Sequence, residues 1–328
     1  MVGTSTPGVI RNPRGNPIGQ VPQGRSLSIV AEGSQVKAGN WLGNAFWVEP
    51  STGGHVFIGD RWYRGRVLVM RHHNGLAAIN YVDLEHYLYS VVGGEMPSSW
   101  PAEALKAQAV AARSYVLYHR QHGRNPSYDI GRTTAWQVYE GLEDETPSIK
   151  SAVESTRDQV LTYNGQIIEA VFHSSSGGHT ENVEDIWSKP LPYLRGVQDF
   201  DGNAPVYQWT ETFSRQAFSQ QFPEIGRLLS TTPQRVTPQG RVREILLEGD
   251  RGSRVISGND LRRALNLRST LFSISIAGET VQITGRGFGH GIGLSQWGAH
   301  HMAHQGYAYQ QILGHYYRGT QLATIEVH

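Results

Sequence analysis

A change of hydrophobic period at Ser98-Ser99-Trp100-Pro101 constrains this chain more than any other feature. Before it, from residue 26 to about residue 92, short runs at 27–30, 45–48, 55–58, 66–70 and 76–81 alternate apolar with polar side chains between Gly and Asn. A period of two lays one face of a strand on a core, and frequent turn residues favour antiparallel pairing. After it, residues 102–121 are Ala-rich and full of strong helix formers. A serine cap, Pro101 in the first turn, Glu103 near the positive pole and Gly123 as a stop predict one long helix. Strands followed by helices define the α+β class.

The remainder of the chain alternates the two signals. A helix is predicted over 148–158, strands over 160–163 and 167–172, then a helix at 216–222, a strand at 243–248 and a helix at 258–265. A glycine-alternating strand and two helices, near 296–304 and 310–317, close the chain. The predicted fold is therefore α+β: a β-rich body with a few helices lining a substrate cleft and an inserted smaller subdomain. Residues 1–25, rich in Gly and Pro, are expected as an extended N-terminal segment. Residues 26–203 plus 281–328 would form the core, and residues 204–280 an inserted subdomain or lid.

Composition narrows the function classes. With 29 basic and 28 acidic residues in 328, the net charge is +1, which points to no polyanionic partner and so to no nucleic acid. There is no cysteine, so no disulfide or thiolate metal site can form. No apolar run reaches the length of a membrane span. The opening Met1-Val2-Gly3-Thr4-Ser5 does not read as a secretory signal. The 38 glycines, 15 tyrosines and 8 tryptophans suit turn-rich β structure with aromatic rings able to face sugars.

Two stretches carry chemistry. In Tyr87-Leu88-Tyr89-Ser90-Val91-Val92-Gly93-Gly94-Glu95-Met96-Pro97, Glu95 follows two glycines and is expected on a constrained link between a strand and the 102–121 helix. A carboxyl held there against aromatic walls would be desolvated, as a general acid requires. The alternative is a loop carboxylate that pairs with a lysine or caps the helix. On the helix itself, Lys106 and Arg113 are two turns apart, about 10 Å along one face, suited to a long polar substrate or to holding Glu95.

The second stretch runs from Gly285 to Gly298, with glycine at every second position from Gly285 to Gly293. Read as a strand, it would leave one side bare for a ligand or another backbone and carry Arg286, Phe288, His290 and Ile292 on the other. It matches neither a dinucleotide fingerprint nor a phosphate loop. His300 and His304, four apart, could place two imidazoles on one helix face with His290 as a third metal ligand, but the H-E-x-x-H pattern is absent.

These stretches together resemble the stage II sporulation protein D family and its amidase-enhancer relatives. The resemblance lies in Tyr87-Leu88 leading to Gly94-Glu95-Met96-Pro97, and in Glu103-Ala104-Leu105-Lys106-Ala107-Gln108-Ala109-Val110-Ala111-Ala112-Arg113-Ser114-Tyr115. It continues through Gln137-Val138-Tyr139-Glu140-Gly141, Phe172-His173-Ser174-Ser175-Ser176-Gly177-Gly178, Glu184-Asp185-Ile186-Trp187 and Pro192-Tyr193-Leu194-Arg195-Gly196-Val197. The glycine stretch ending in Ser295-Gln296-Trp297-Gly298 completes it, so that nearly all of the chain beyond residue 60 is covered.

The resemblance implies a lytic transglycosylase acting on peptidoglycan glycan strands from which an amidase has removed the stem peptides. It implies that the essential acid is Glu95 and that Lys106 and Arg113 contact substrate. Tyr193 matches a family tyrosine near the cleft. Gln137, His173, Ser175, His290 and Gln296 complete the set expected to bind substrate. Some relatives bind zinc through a His and two Cys; without cysteine neither a metal nor another cofactor is expected. The expected partners are glycan strands and a cell-wall amidase. The expected location is periplasmic or extracytoplasmic, with the native export signal absent from the sequence as it stands. Two other readings stay open: an amidase enhancer that grips without cutting, and a muramidase with a second carboxylate from Asp129, Glu184 or Asp185.

Overall fold

The computed structural model describes every residue except Asn74, Arg124, Pro126, Thr134, Ala135, Ser188 and residues 326–328. It is an α+β protein in which strands outnumber helices. The chain divides into two compact units, Met1–Trp100 with Val116–Asp158, and Pro101–Tyr115 with Gln159–His328. Among the described residues no helix is long and apolar enough to cross a membrane.

The first unit is built on antiparallel sheets. One runs Gly75–Tyr81, Arg66–His72, Ala45–Pro50, Gly8–Arg11, Pro17–Val21. Val48 faces both Val67 and Ile10 in register, and all three are fully buried. That is the alternation of the sequence turned into a core face. A second sheet orders Arg61–Tyr63, Val56–Ile58, Val2–Thr4 and Ser26–Leu27. Within the first 25 residues, strands Val2–Thr4, Gly8–Arg11 and Pro17–Val21 are built into these sheets.

The sheets lead into helix α1 (Leu84–Glu95) and the long helix α2 (Ala102–His122), followed by helix α3 (Pro147–Ser155) with Thr146 as cap and Pro147 in its first turn. Helix α1 corrects the sequence reading, which placed a strand up to residue 92. Asp83 caps it by accepting from the Glu85 and His86 N–H groups, and Tyr87, Leu88, Val91 and Val92 are buried at helical spacing. Its tyrosines and valines are weak helix formers, so burial of one face rather than propensity decides the conformation. Met96 is extended because Pro97 follows it.

In the second unit, residues 104–114 of α2 are buried almost all round, as a core helix must be. Strand Gln159–Tyr163 pairs with Gln321–Thr324, and its Leu161 N–H donates to Ser114 Oγ at 2.8 Å. Residues 209–283 share one hydrophobic cluster that includes Trp209, Phe218, Ile245, Leu247, Leu261 and Ile283. Around it lie two three-stranded antiparallel sheets and two short helices, α5 (Arg215–Gln220) and α6 (Gly258–Ala264), once α4 (Val183–Ile186) has been passed. Helices α7 (Gln296–His304) and α8 (Tyr309–Tyr316) come before the last strand, Gln321–Thr324.

Candidate functional site

Glu95 is the last residue of α1, half-buried, and its Oε1 accepts a 3.0 Å hydrogen bond from the Val138 N–H. It therefore stands on a helix C-terminus and not on a strand-to-helix link. The segment 137–144 is clasped along one face of α1. Tyr87 donates its hydroxyl proton to Gln137 Oε1 at 2.9 Å, and Ser90 Oγ accepts from the Glu140 and Gly141 N–H groups at 3.1 and 2.9 Å. Positions 87, 90 and 94 fall on one helix face because they are three and four residues apart. The Tyr139 ring lies 4.9 Å from that of Tyr87 and 5.2 Å from that of Tyr63, and burial raises its phenol above the ordinary tyrosine range.

Gly93 and Gly94 are explained by this docking. A Cβ on Gly93 would fall 2.1 Å from the Asp144 carbonyl oxygen, and one on Gly94 would fall 3.0 Å from Val138 Cγ1. Two glycines near the end of a helix cost about 2 kcal/mol in propensity. They are needed because the 3-10 turn Gly141–Asp144 approaches the helix backbone itself.

In the second unit, Lys106 Nζ pairs with Glu103 Oε1 at 2.6 Å and lies 5.9 Å from the centre of the Tyr309 ring. Glu103 Oε2 accepts from the Tyr309 N–H at 2.8 Å. Burial works to raise the Glu103 carboxyl, but Lys106 and that N–H outweigh it and hold the group below the usual range. Arg113 is 0% exposed, and its Nη1 donates to the Gln159 carbonyl at 3.0 Å. Lys106 and Arg113 thus differ in kind: Lys106 is half-exposed and Arg113 is internal.

The glycine stretch is not the bare-sided strand that alternation predicts. Regular pairing ends at Arg286, after which Gly287, Gly289, Gly291 and Gly293 take φ of +73°, +108°, +81° and +69°. This is left-handed backbone that side chains rarely adopt. The bare side is filled by the protein. Added Cβ atoms would meet the Ser175 carbonyl at 2.7 Å, His173 Cβ at 2.8 Å, the Arg241 guanidinium at 2.3 Å and the Val171 carbonyl at 2.1 Å. Nor do the intervening side chains share an open face: Phe288 is 42% exposed, but Ile292 is fully buried.

His290 is held at both ring nitrogens: Nδ1 accepts from the Ile292 N–H at 3.0 Å and Nε2 donates to the Phe172 carbonyl at 2.9 Å. It is a neutral tie between two strands of chain, and burial keeps its pKa well below the ordinary histidine value. His173, 5.2 Å away ring to ring, donates from Nδ1 to the Ile292 carbonyl at 3.1 Å. Burial, reinforced by Arg241, lowers its pKa to about 3.

Ser175 is fully buried; its Oγ donates to Asp201 Oδ2, and its backbone bridges Phe288 in both directions. Ser176 donates to Asp199 Oδ2, and Tyr316 donates to Asp199 Oδ1 at 2.7 Å. Burial and the nearby Asp199 raise the Asp201 carboxyl above the usual range. Arg241 reaches the Ser176 carbonyl through Nη2 at 2.5 Å and places Nε 3.8 Å from Glu181 Oε1. Burial lowers the Arg241 guanidinium to about 10. Asp199, Asp201, Glu181 and Arg241 were not singled out from the sequence, where nothing in their spacing sets them apart.

Tyr193 is buried and accepts a 3.3 Å bond from the Glu169 N–H, and Gln296 opens α7 beneath the Ser295 cap. Glu184 is forked to Arg195, Asp185 accepts from Asn182, and Asp129 is exposed. His300 and His304 stack edge to face at 4.5 Å. His290 does not join them as a third metal ligand, since both its ring nitrogens are already bonded. A surface depression of about 150 Å³ by Ile186, Arg243, Asn259 and Thr270 involves none of the catalytic or substrate-binding residues expected from the sequence.

A family model described as stage II sporulation protein matches residues 72–163, and a second, described as a domain of unknown function, matches residues 192–293. The chain is 35% identical over 271 residues to stage II sporulation protein D of Bacillus subtilis (strain 168), covering 75% of this chain and 76% of that protein. It is 35% identical over 269 residues to stage II sporulation protein D of Bacillus amyloliquefaciens, with the same shares covered. It is also 30% identical over 292 residues to the amidase enhancer of Bacillus subtilis (strain 168), covering 72% of this chain and 40% of that protein. The chain belongs to the stage II sporulation protein D family.

Proposed function

We propose that this protein is a peptidoglycan lytic transglycosylase that cuts the MurNAc–GlcNAc bond of peptide-denuded glycan strands. The observation that carries this is Glu95: a half-buried carboxyl at a helix end, in the family's Glu-Met-Pro motif, with one oxygen on the Val138 N–H. The protonated acid gives its proton to the glycosidic oxygen as the C1–O bond breaks, leaving an oxocarbenium-like C1. The resulting carboxylate then takes the proton of the C6 hydroxyl, whose oxygen closes onto C1. One strand end is left as 1,6-anhydroMurNAc, no water is consumed, and Glu95 is protonated again. One group serves both steps, whereas glycoside hydrolysis ordinarily needs two carboxyls. The setting suits such a cycle: the negative pole of a helix favours the protonated acid, and an N–H donor favours the anion.

Within this reading Lys106 and the Tyr309 ring offer a cation and an apolar face to a sugar. Arg113, Gln137, His173, Ser175, Tyr193 and Gln296 are buried, and His290 is tied by both nitrogens. They would act by holding backbone in place rather than by touching the glycan. The residues present need no metal or cofactor for this chemistry. Because the substrate lies outside the cytoplasmic membrane, the protein would work in the periplasm or extracytoplasmic envelope, beside an amidase that bares the strands. Residues 204–280 would form an inserted subdomain or lid, a reading supported by a hydrophobic cluster that runs from Trp209 to Ile283.

A second reading is favoured by the amidase-enhancer relative: binding glycan or an amidase without cutting. Mass spectrometry of denuded strands incubated with the protein separates the two. Anhydro ends that disappear with Glu95→Gln support the transglycosylase. Reducing ends would indicate a muramidase, and intact strands with a stimulated amidase would indicate the enhancer.

A further inference from the structure

The depression of about 150 Å³ in the second unit lies where strand Val242–Gly249 meets helix α6. The strand is central in a three-stranded sheet, and its Glu244 stands in register with Ser257, the cap of α6. Val242 donates its N–H to the Thr270 carbonyl at 2.8 Å, which brings a third segment to the same place. Ile186, Arg243, Asn259 and Thr270 thus line one hollow although they are far apart in the chain.

The polar groups of this lining differ in what they have already bonded. Ser257 Oγ is committed twice, donating to Asp260 Oδ2 at 2.6 Å and accepting from the Asp260 N–H at 3.0 Å. Glu244 is paired with Arg235 at 3.3 Å. Arg243 donates from Nη1 to the Asp185 carbonyl and, among the described residues, has no ion pair. Among the same residues neither the Asn259 carboxamide nor the Thr270 hydroxyl has a hydrogen-bond partner. A guanidinium with no carboxylate of its own, beside a carboxamide and a hydroxyl, is a donor set for a carboxylate.

Size and chemistry narrow the ligand. A hollow of this volume takes about six non-hydrogen atoms, the size of a benzene ring. The lactyl ether of a MurNAc residue, with its carboxylate, is of that size. When an amidase removes the stem peptide, water adds across the lactyl amide, the C–N bond breaks and the lactyl group is left as an anion. On a peptide-bearing strand the same carbonyl is a neutral amide that runs on into a peptide too large for the hollow. Ile186 is followed by Trp187, whose indole is 38% exposed and gives a sugar ring a flat apolar face.

We propose that this hollow binds the free lactyl carboxylate of a peptide-denuded MurNAc residue, with Arg243 as its ion partner and Asn259 and Thr270 as neutral donors. The site rests on the reading that the protein takes glycan strands, and it adds how bared strands are told from peptide-bearing ones.

The test is calorimetric titration of the full chain carrying Glu95→Gln, so that strands stay whole. The ligands are denuded strands, peptide-bearing strands and chitin oligomers, which lack the lactyl group. Denuded strands are expected to bind about tenfold more tightly than the other two, the worth of a charge-assisted hydrogen bond, and the margin should shrink as salt rises. Adding Arg243→Gln should remove the margin and leave chitin binding unchanged, while Arg243→Lys keeps part of it. Asn259→Ala, on an exposed residue, should weaken denuded strands alone by about threefold, and it stands in if Arg243→Gln unfolds. Equal binding of the three ligands by the parent chain, or an Arg243→Gln loss as large on chitin as on denuded strands, overturns the proposal. If no strand binds, this site and the glycan reading fall together. If denuded strands are preferred but the chain with Glu95 intact makes no anhydro ends, the cutting is refuted and the site stands.

Discussion

Glu95 Oε1 and the Val138 N–H meet at 3.0 Å across 43 residues of chain, so the carboxyl that ends α1 also fastens the 137–144 segment to it. The bond links a chemical role to a structural one, and the two can be separated by the choice of substitution.

Glu95→Gln keeps a carbonyl oxygen in the place of Oε1, and Glu95→Ala does not. The alanine variant is expected to lose about 1 kcal/mol of stability, the usual worth of one hydrogen bond, and the glutamine variant much less. Both should lose cleavage by about 100-fold or more, the ordinary contribution of a general acid. Urea midpoints beside anhydro-end yields check this. Equal destabilisation of the two would show that the Val138 bond is not what the side chain contributes.

Gly93→Ala would raise helix propensity by about 1 kcal/mol on an exposed surface. Here the methyl would be forced to 2.1 Å from the Asp144 carbonyl, which must retreat with its turn. Overpacking against backbone should prevail, with a net loss of about 1–2 kcal/mol. Chemical denaturation measures it; a stabilised variant would mean that the turn does not press on α1.

Two glycines with similar φ separate strain from crowding. Gly291 at +81° would put a Cβ 2.3 Å from the Arg241 guanidinium, whereas Gly306 at +87° has open space. Gly306→Ala should cost about 1 kcal/mol, the left-handed penalty alone. Gly291→Ala should cost at least about 2 kcal/mol more, because a buried arginine must leave its partners. Paired unfolding curves decide it, and equal losses would contradict the packing described.

His173 gives the fold a pH dependence. Its pKa is about 3 in the folded protein against 6.5 ordinarily, so the unfolded chain takes up a proton that the folded one refuses. Stability from this group is complete above pH 6.5 and is lost as the pH falls towards 3, by up to about 1.4 kcal/mol per pH unit. His290 acts in the same sense, and the raised Asp201 acts in the opposite one. His173→Gln should therefore flatten, without abolishing, the decline in unfolding midpoint between pH 7 and 5. An unchanged slope would show that His173 is reached by protons in the folded state.

Local patterning and family motifs by themselves determined much of this protein. The period-two runs became sheet strands, and residues 102–121 became α2 within a residue at its C-terminal end, because alternation and alanine content act at short range. The helix at 296–304 was also legible, and membership of the stage II sporulation protein D family could be read from blocks of residues. Tertiary structure alone decided the rest. Tyr87 to Glu95 became helical because Asp83 caps it and its apolar face is buried, against a propensity that favours strand. The alternating glycines became a left-handed loop because His173, Ser175 and Arg241 fill the side that alternation leaves bare. Asp144 came to Gly94, and Asp199 and Asp201 to two serines, through contacts between residues tens of positions apart. Burial and close approach of that kind are set by packing, which no local stretch of sequence encodes.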